Sequence, residues 1–306
     1  MAQAASPIGP RLYEPGNDMK HYKSSEKIRF EKIFINFAIF AKRDEMNTYY
    51  MIMAGMAVMA AVVFVALFFF KAGYGYLSSS QWGPKISNKV AWVLMEAPSF
   101  GFMLYYTLKF ASEGGAVNGN SNLVLYILAS FFLLHYFQRS FIFPLLMRGN
   151  SKMPIAVMLM GMTFNTFNAY VIGEWLYDPS LNGGMYTIDW LWSPQFIIGT
   201  LVFIAGMAIN MHSDNVIRHL RKPGDTKHYI PRKGFYKYVT SANYFGEFTE
   251  WVGFAILTWS PAGLLFAVWT FANLGPRAKS LTEKYVAEFG EKYTKLNKKH
   301  IIPFIW

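Results

Sequence analysis

Several ionisable and amide side chains stand in or beside long apolar runs of this chain, where polar groups are costly and by default mark a site. Glu96 lies in VAWVLMEAPSF, two residues before Pro98, which weakens the local helix and frees backbone groups. A carboxyl group isolated in hydrocarbon favours its neutral form, and a neutral acid can donate a hydrogen bond. The other reading of Glu96 is a buried carboxylate paired with an arginine on a neighbouring helix. In LLHYFQRSF, His135 and Tyr136 precede Arg139 by four and three residues, so all three share one half of a helix. Tyr136 can donate its hydroxyl to a substrate oxygen; alternatively it is an interfacial tyrosine beside a snorkelling arginine.

The run FIIGTLVFIAGMAI turns abruptly into NMHSDNVIRHLRKPGD at Asn210. On a helix of about 100° per residue, Asn210, Asp214, Arg218 and Arg221 fall within roughly 80° of arc, an amide, a carboxylate and two guanidiniums in one stripe. Such a stripe can hold phosphates through arginine and ribose or amide groups through Asn and Asp. The same cations equally suit a basic loop that orients a membrane protein. In SANYFGEFTEWVGF, Asn243, Glu247 and Glu250 lie within roughly 60° of one another. Two acids entering an apolar helix need partners, and the cations nearby in sequence pattern are Arg139, Arg218, Arg221, Lys222 and Arg277. Asn165 and Asn168, at i and i+3 in FNTFNAYVIGEW, read as amides that bond across a helix interface.

The elements that position these groups follow from composition. Apolar and aromatic residues make up 53% of the chain and charged residues 15%, which excludes an ordinary soluble domain and indicates a polytopic, all-α integral membrane protein. A net charge of +11 then reads as loop asymmetry rather than a nucleic-acid surface. The absence of cysteine removes disulfides, thiolate nucleophiles and cysteine-based metal sites. There is no G-x-G-x-x-G, P-loop or H-E-x-x-H, so a soluble nucleotide fold or zinc hydrolase is unsupported and no metal is expected.

Spans are expected at 50–70, 90–110, 122–147, 154–177 and 190–212, followed by 243–275. Continuous helix through that last stretch would measure roughly 50 Å against a hydrocarbon core of about 30 Å. A break at Ser260-Pro261 resolves the excess and makes seven transmembrane helices. Lys71, Lys85 and Lys89, then Arg148 and Lys152, then the cations from Arg218 to Lys237 fall in alternate loops, while the intervening loops hold Lys109. That asymmetry places the N-terminus outside and the C-terminus in the cytoplasm. Residues 1–48 form a tail, loosely attached over 1–28 and interfacial or packed over Ile33 to Ala41, and 49–306 form one membrane domain. The first apolar run is too deep for a cleaved signal peptide. Beyond Pro276 the pattern predicts a cytoplasmic amphipathic helix ending in an apolar anchor, Ile301 to Trp306.

With these clusters in view, AWVLMEAPSF (91–100), HYFQRSFIFPLLMRG (135–149), GMAINMHSDNVIRHLRKPGD (206–225), YVTSANYFGEFTEWVGFA (238–255), GPRA (275–278) and the terminal KKHIIPFIW resemble the steroid 5α-reductase family, the membrane NADPH-dependent 3-oxo-5α-steroid 4-dehydrogenases. The resemblance covers most of the chain from about residue 73 onward. It implies seven helices around a cofactor and substrate cavity, with NADPH entering from the cytoplasmic side and a lipophilic steroid enone above its nicotinamide. Glu96 and Tyr136 match the pair that hydrogen-bonds the substrate carbonyl, and Tyr74 matches a tyrosine near the substrate entrance. Arg148, Asn168, Asn210, Asp214, Arg218, Arg221, Asn243, Glu247, Arg277 and Tyr285 match the family's cofactor-binding surface. The implied reaction is hydride transfer to the β-carbon of the Δ4 double bond, giving a 5α-3-oxosteroid. A monomer is expected, in the endoplasmic reticulum of a eukaryote or the inner membrane of a bacterium, with lipid around it and no nucleic-acid partner.

Two departures bear on substrate preference. KSLTEK stands where animal members carry histidines between the positions of Arg277 and Tyr285, and Met95 stands where a glutamine precedes the site acid. Enoyl-CoA and polyprenol reductases perform similar chemistry on other lipophilic enoyl substrates. Membrane S-adenosylmethionine-dependent methyltransferases usually carry Arg-His-Pro-x-Tyr in this region, where the present chain has TSANYFGE. A non-enzymatic sterol-binding protein would not need the cofactor stripe.

Overall fold

The computed structural model describes residues 44–70, 82–115, 120–222, 225 and 227–306, so Tyr74 and the tail before residue 44 lie outside the described residues. The chain divides into two compact units, Met1–Tyr50 and Met51–Trp306. The described elements are α1 (Asp44–Phe69), β1 (Lys85–Ser87), α2 (Asn88–Phe110), α3 (Asn120–Phe137), α4 (Phe143–Leu146), β2 (Lys152–Pro154), α5 (Ile155–Tyr177), α6 (Pro179–Asn182), α7 (Pro194–Arg218), α8 (Ala242–Thr258), α9 (Pro261–Phe289) and α10 (Glu291–Thr294). The protein is mostly helical, and the two short strands pair antiparallel, with Ile86 opposite Met153. Among the described residues, four helical stretches are long and apolar enough to cross a membrane: α1, Leu123–Leu146, α5 and α7.

The break expected at Ser260-Pro261 is present, and its chemistry is local. Trp259 closes α8 in the left-handed conformation, at φ 47°. Ser260 Oγ then accepts the Gly263 N–H at 2.9 Å, and Pro261 fills the first helical position, where no N–H is required. Three boundaries differ from the sequence reading. α7 begins at Pro194 rather than 190, because Ile188–Trp192 forms a 3-10 turn and Ser193 caps the helix that follows. It ends at Arg218, with His219 as its C-cap, so Arg221 lies beyond the helix and leaves the stripe of Asn210, Asp214 and Arg218. α9 does not stop near 275 but runs through Pro276 for 29 residues. At about 1.5 Å per residue that is roughly 44 Å, so the charged segment continues the same helix.

Packing overrides the proline at that point. Leu274, Ala278 and Ile301 are buried in one apolar cluster, against which Phe271 and Trp306 pack. The C-terminal segment expected to be an apolar anchor, Ile301 to Trp306, is folded back on α9 through Ile301, which is fully buried, while Phe304 and Ile305 remain exposed.

The closest helix pair is α7 with α8, and glycine makes it possible. A Cβ on Gly206 would stand 2.6 Å from the Glu250 Cα, and one on Gly246 would stand 2.7 Å from the Asn210 Cα. Gly199 and Gly253 repeat the pattern seven residues away, against Leu257 and Phe203. Backbones in direct contact bring the polar ends of both helices, Asn210 and Asp214 on one and Asn243 on the other, into hydrogen-bonding range. Beside this contact Trp251 is buried among Phe132, Phe203, Phe254 and Phe266.

Candidate active site

A cavity of about 490 Å³ is lined by side chains of α1, α2, α3, α5, α7, α8 and α9. Two polar groupings enter its apolar wall. The first joins Glu96, Tyr136 and Asn165. Asn165 Nδ2 donates to the Met95 carbonyl at 2.7 Å and to Glu96 Oε2 at 3.1 Å, and Asn165 Oδ1 accepts from the Tyr136 hydroxyl at 3.3 Å. α2 and α5 come close enough for this because Gly161, one turn before Asn165, leaves room for Met95; a Cβ there would meet its Cγ at 2.6 Å. The acid is thus bonded to an amide, while Arg139 is bound elsewhere. The residue that links acid to phenol is the asparagine that spacing alone reads as a helix-interface amide.

The second grouping is built around Arg139, which sits in a π-helical turn, Gln138–Ile142, that widens the helix path after α3. Its guanidinium lies over Trp92 and Phe143, 4.9 and 4.6 Å from the ring centroids. Nη1 donates to Asp214 Oδ2 at 3.0 Å and Nη2 to Glu247 Oε2 at 2.8 Å, so one buried cation ties α7 to α8. Asn243 adds a bond from Nδ2 to Asp214 Oδ1 at 3.2 Å, and Asn210 Nδ2 donates to the Asn243 carbonyl at 2.9 Å. Of the five cations available on sequence grounds, Arg139 is the one that meets Glu247, and Glu250 pairs with His135 Nδ1 at 2.8 Å. His135 in turn packs edge-on to Trp251, with ring centroids 4.4 Å apart.

The expected site residues that the structure describes fall into three sets. Glu96, Tyr136, Asp214, Asn243, Glu247 and Arg277 line the cavity together. Arg277 is buried and donates from Nη2 to the Tyr244 hydroxyl at 3.1 Å. Asn168 and Asn210 are buried behind the wall, each one helical turn from a lining residue. Arg148, Arg218, Arg221 and Tyr285 do not line it: Arg148 and Arg221 are exposed, Arg218 is half-buried, and Tyr285 stacks on Tyr293 at 5.2 Å. Tyr74 lies outside the described residues. Besides Asn165, sequence reasoning passed over Asn273 and Tyr244, both in the wall. Asn273 had a signal, standing four residues before Arg277 on the same face of α9.

Apolar helices of membrane-crossing length, with an acid, a phenol and a carboxylate–guanidinium cluster converging on an apolar cavity, define a helical membrane enzyme. The family model for 3-oxo-5-alpha-steroid 4-dehydrogenase matches residues 151–306, and the chain belongs to that family of oxidoreductases. It is 42% identical over 234 residues to 3-oxo-5-alpha-steroid 4-dehydrogenase 1 of Macaca fascicularis, covering 76% of this chain and 84% of the relative. With the enzyme of the same name in Mus musculus it shares 38% over 247 residues, covering 81% and 92%. With Steroid 5-alpha-reductase DET2 of Arabidopsis thaliana it shares 37% over 250 residues, covering 79% and 90%.

Proposed function

We propose that this protein uses NADPH to reduce the Δ4 double bond of 3-oxo-Δ4 steroids, giving 5α-3-oxosteroids. It does so as a monomeric, multi-pass membrane protein in which α1, α2, α3 with α4, α5, α7, α8 and α9 are the seven spans, the N-terminus outside and the C-terminus cytoplasmic. The observation that carries the reading is the convergence of Glu96, Asn165 and Tyr136 with the Arg139 cluster on one apolar cavity, in a chain of this family.

The residues suit a nicotinamide dinucleotide by their chemistry. Ribose and carboxamide groups call for carboxylates and amides, which Asp214, Asn243 and Glu247 present in the wall, and phosphates call for guanidinium groups. Arg277 stands in the wall, Arg218 and Arg221 stand at and just past the end of α7, and Arg148, Asn168, Asn210 and Tyr285 complete the set. When bound, NADPH supplies the hydride that adds to the β-carbon of the conjugated C=C. Negative charge then develops on the 3-keto oxygen, and Tyr136 and the carboxylic acid of Glu96 donate hydrogen bonds to it. Trp92, Phe164 and Trp269 in the surrounding wall keep water out, which strengthens those bonds. A proton taken up at the α-carbon completes the reduction.

Detergent-solubilised protein should oxidise NADPH in the presence of a 3-oxo-Δ4 steroid and yield the 5α product. Loss of one oxyanion donor lowers kcat by roughly 10²–10³-fold in enzymes that use them. Glu96→Gln and Tyr136→Phe should approach that loss while leaving NADPH affinity near wild type, whereas Asn210→Ala or Arg221→Ala should weaken NADPH. A panel of steroid enones that gives no NADPH-dependent 5α product, together with binding of S-adenosylmethionine, would sink the proposal.

A further inference from the structure

The geometry points to Asn165 as the residue that sets the hydrogen-bond polarity of the site: it holds Glu96 and Tyr136 as two outward donors and makes the cavity selective for a ketone over an alcohol. The inference rests on the function proposed above and concerns how that same site recognises its substrate.

The orientation of the Asn165 amide follows from one contact. The Met95 carbonyl can only accept, so the atom 2.7 Å from it must be Nδ2. Nδ2 carries two protons, and the second points to Glu96 Oε2 at 3.1 Å. Oε2 is therefore occupied as an acceptor, and a neutral Glu96 carries its proton on Oε1, the oxygen left to donate. Oδ1 of the same amide accepts from Tyr136 at 3.3 Å, long beside the roughly 2.7–2.8 Å usual between oxygens. A ketone oxygen entering the cavity offers Tyr136 a shorter bond, so the phenol can hand its single proton over without a costly rearrangement.

The support for the amide is itself buried. The Asn165 carbonyl accepts from Ser99 Oγ at 3.2 Å, and Ser99 is fully buried on α2, three residues beyond Glu96. Pro98, between them, has no N–H to offer the Leu94 carbonyl, so this turn of α2 already departs from a complete backbone ladder. Asn165 thus fixes two side chains on two other helices from one position on α5. A substrate oxygen that only accepts satisfies both donors. A hydroxyl also brings a proton, which must compete with the Asn165 amide for the lone pairs of Glu96 Oε2 or turn the Tyr136 phenol round into an acceptor. A buried polar group left poorly paired is penalised. Removing the amide frees Oε2 of Glu96 to accept, and that penalty should fall.

The test compares wild type with Asn165→Leu and Asn165→Ala, each alone and combined with Tyr136→Phe. The readouts are kcat, KM, NADPH affinity, melting temperature in detergent, and competitive inhibition by a saturated 3-oxo steroid and its 3-hydroxy counterpart. The expected result is a fall in kcat of about 10–100-fold with NADPH affinity within about twofold, since the residue acts on the donors and not on the cofactor wall. The preference for the 3-oxo over the 3-hydroxy ligand should shrink by about tenfold, and Asn165→Ala should cost far less in the Tyr136→Phe background than in wild type. A merely structural role predicts equal losses in both backgrounds and an unchanged 3-oxo preference, and either result overturns the assignment. If Asn165→Leu fails to fold, Asn165→Ala and the inhibitor ratio decide the matter. A wild type that reduces steroid enones while Asn165→Ala matches it overturns this inference alone; a wild type inactive on every enone overturns the functional reading beneath it.

Discussion

Gly246→Ala is the most direct test of how α7 and α8 build the wall proposed above to hold NADPH. The new methyl would lie 2.7 Å from the Asn210 Cα and closer still to its amide nitrogen, whereas ordinary contact begins near 3.4 Å. The obstacle is backbone, which no side-chain rotation can clear, so the helices must part locally by about 1 Å. Across that gap run the Asn210–Asn243 bond at 2.9 Å and the Asn243–Asp214 bond at 3.2 Å. Widening by about 1 Å takes both past the roughly 3.5 Å at which a hydrogen bond ceases to count. Arg139, which reaches Asp214 and Glu247 at 3.0 and 2.8 Å, would keep one carboxylate and strain or lose the other. Overpacking of this kind costs about 1–3 kcal/mol, and each buried donor left unmade about 1–3 kcal/mol more. NADPH affinity measured by fluorescence titration should weaken by tenfold or more, and the melting temperature in detergent should drop. Gly101→Ala, whose Cβ meets nothing within 4 Å on α2, is the matched control and should change neither. A Gly246→Ala protein that binds NADPH and melts like wild type would refute the reasoning.

Two further perturbations probe separate parts of the structure. Arg139→Leu strands Asp214 and Glu247 without their cation, a loss of about 3–5 kcal/mol for a buried pair broken on one side, so it should express poorly or melt far below wild type. Arg139→Lys, with a point charge in place of a two-pronged fork, should recover part of that stability, and equal melting temperatures for the two variants would contradict the dual bridge. Lys298, outside the spans, donates to the Pro231 carbonyl, and burial, aided by Arg232, pushes its ammonium from 10.5 down to about 8. Its folded pKa lies below its unfolded one, so the unfolded chain holds more protons between those values and folding gains stability as pH rises through that window. The melting temperature of Lys298→Met relative to wild type should therefore fall between pH 8 and 10; a constant difference would remove Lys298 from the account.

Local pattern was legible because helix geometry is local. Proline, serine and the length of an apolar run decide a break without reference to anything distant, and the end of α8 at Ser260-Pro261 follows from them. The angular grouping of His135, Tyr136 and Arg139, and of Asp214 with Arg218, follows equally from about 100° per residue. Where a local rule met a packing contact, the contact prevailed: Pro276 remains inside α9 because the turn around it is buried against Ile301. Arg221 left the stripe for the opposite reason, since α7 ends at Arg218 and periodicity has no meaning past a helix end.

The sequence by itself determined which groups are available: a helical membrane chain, an acid and a phenol in apolar runs, and two polar stripes flanking glycines. Tertiary structure alone decided the pairings. Arg139 took Asp214 and Glu247, His135 took Glu250, and Asn165 became the link between Glu96 and Tyr136. The reason is distance. A periodicity places a side chain around its own helix axis, but a hydrogen bond between helices forms or fails within a few tenths of an ångström of axis separation. That separation is set here by the glycines of α7 and α8 and by Gly161 on α5, through contacts that exist only once the helices have met.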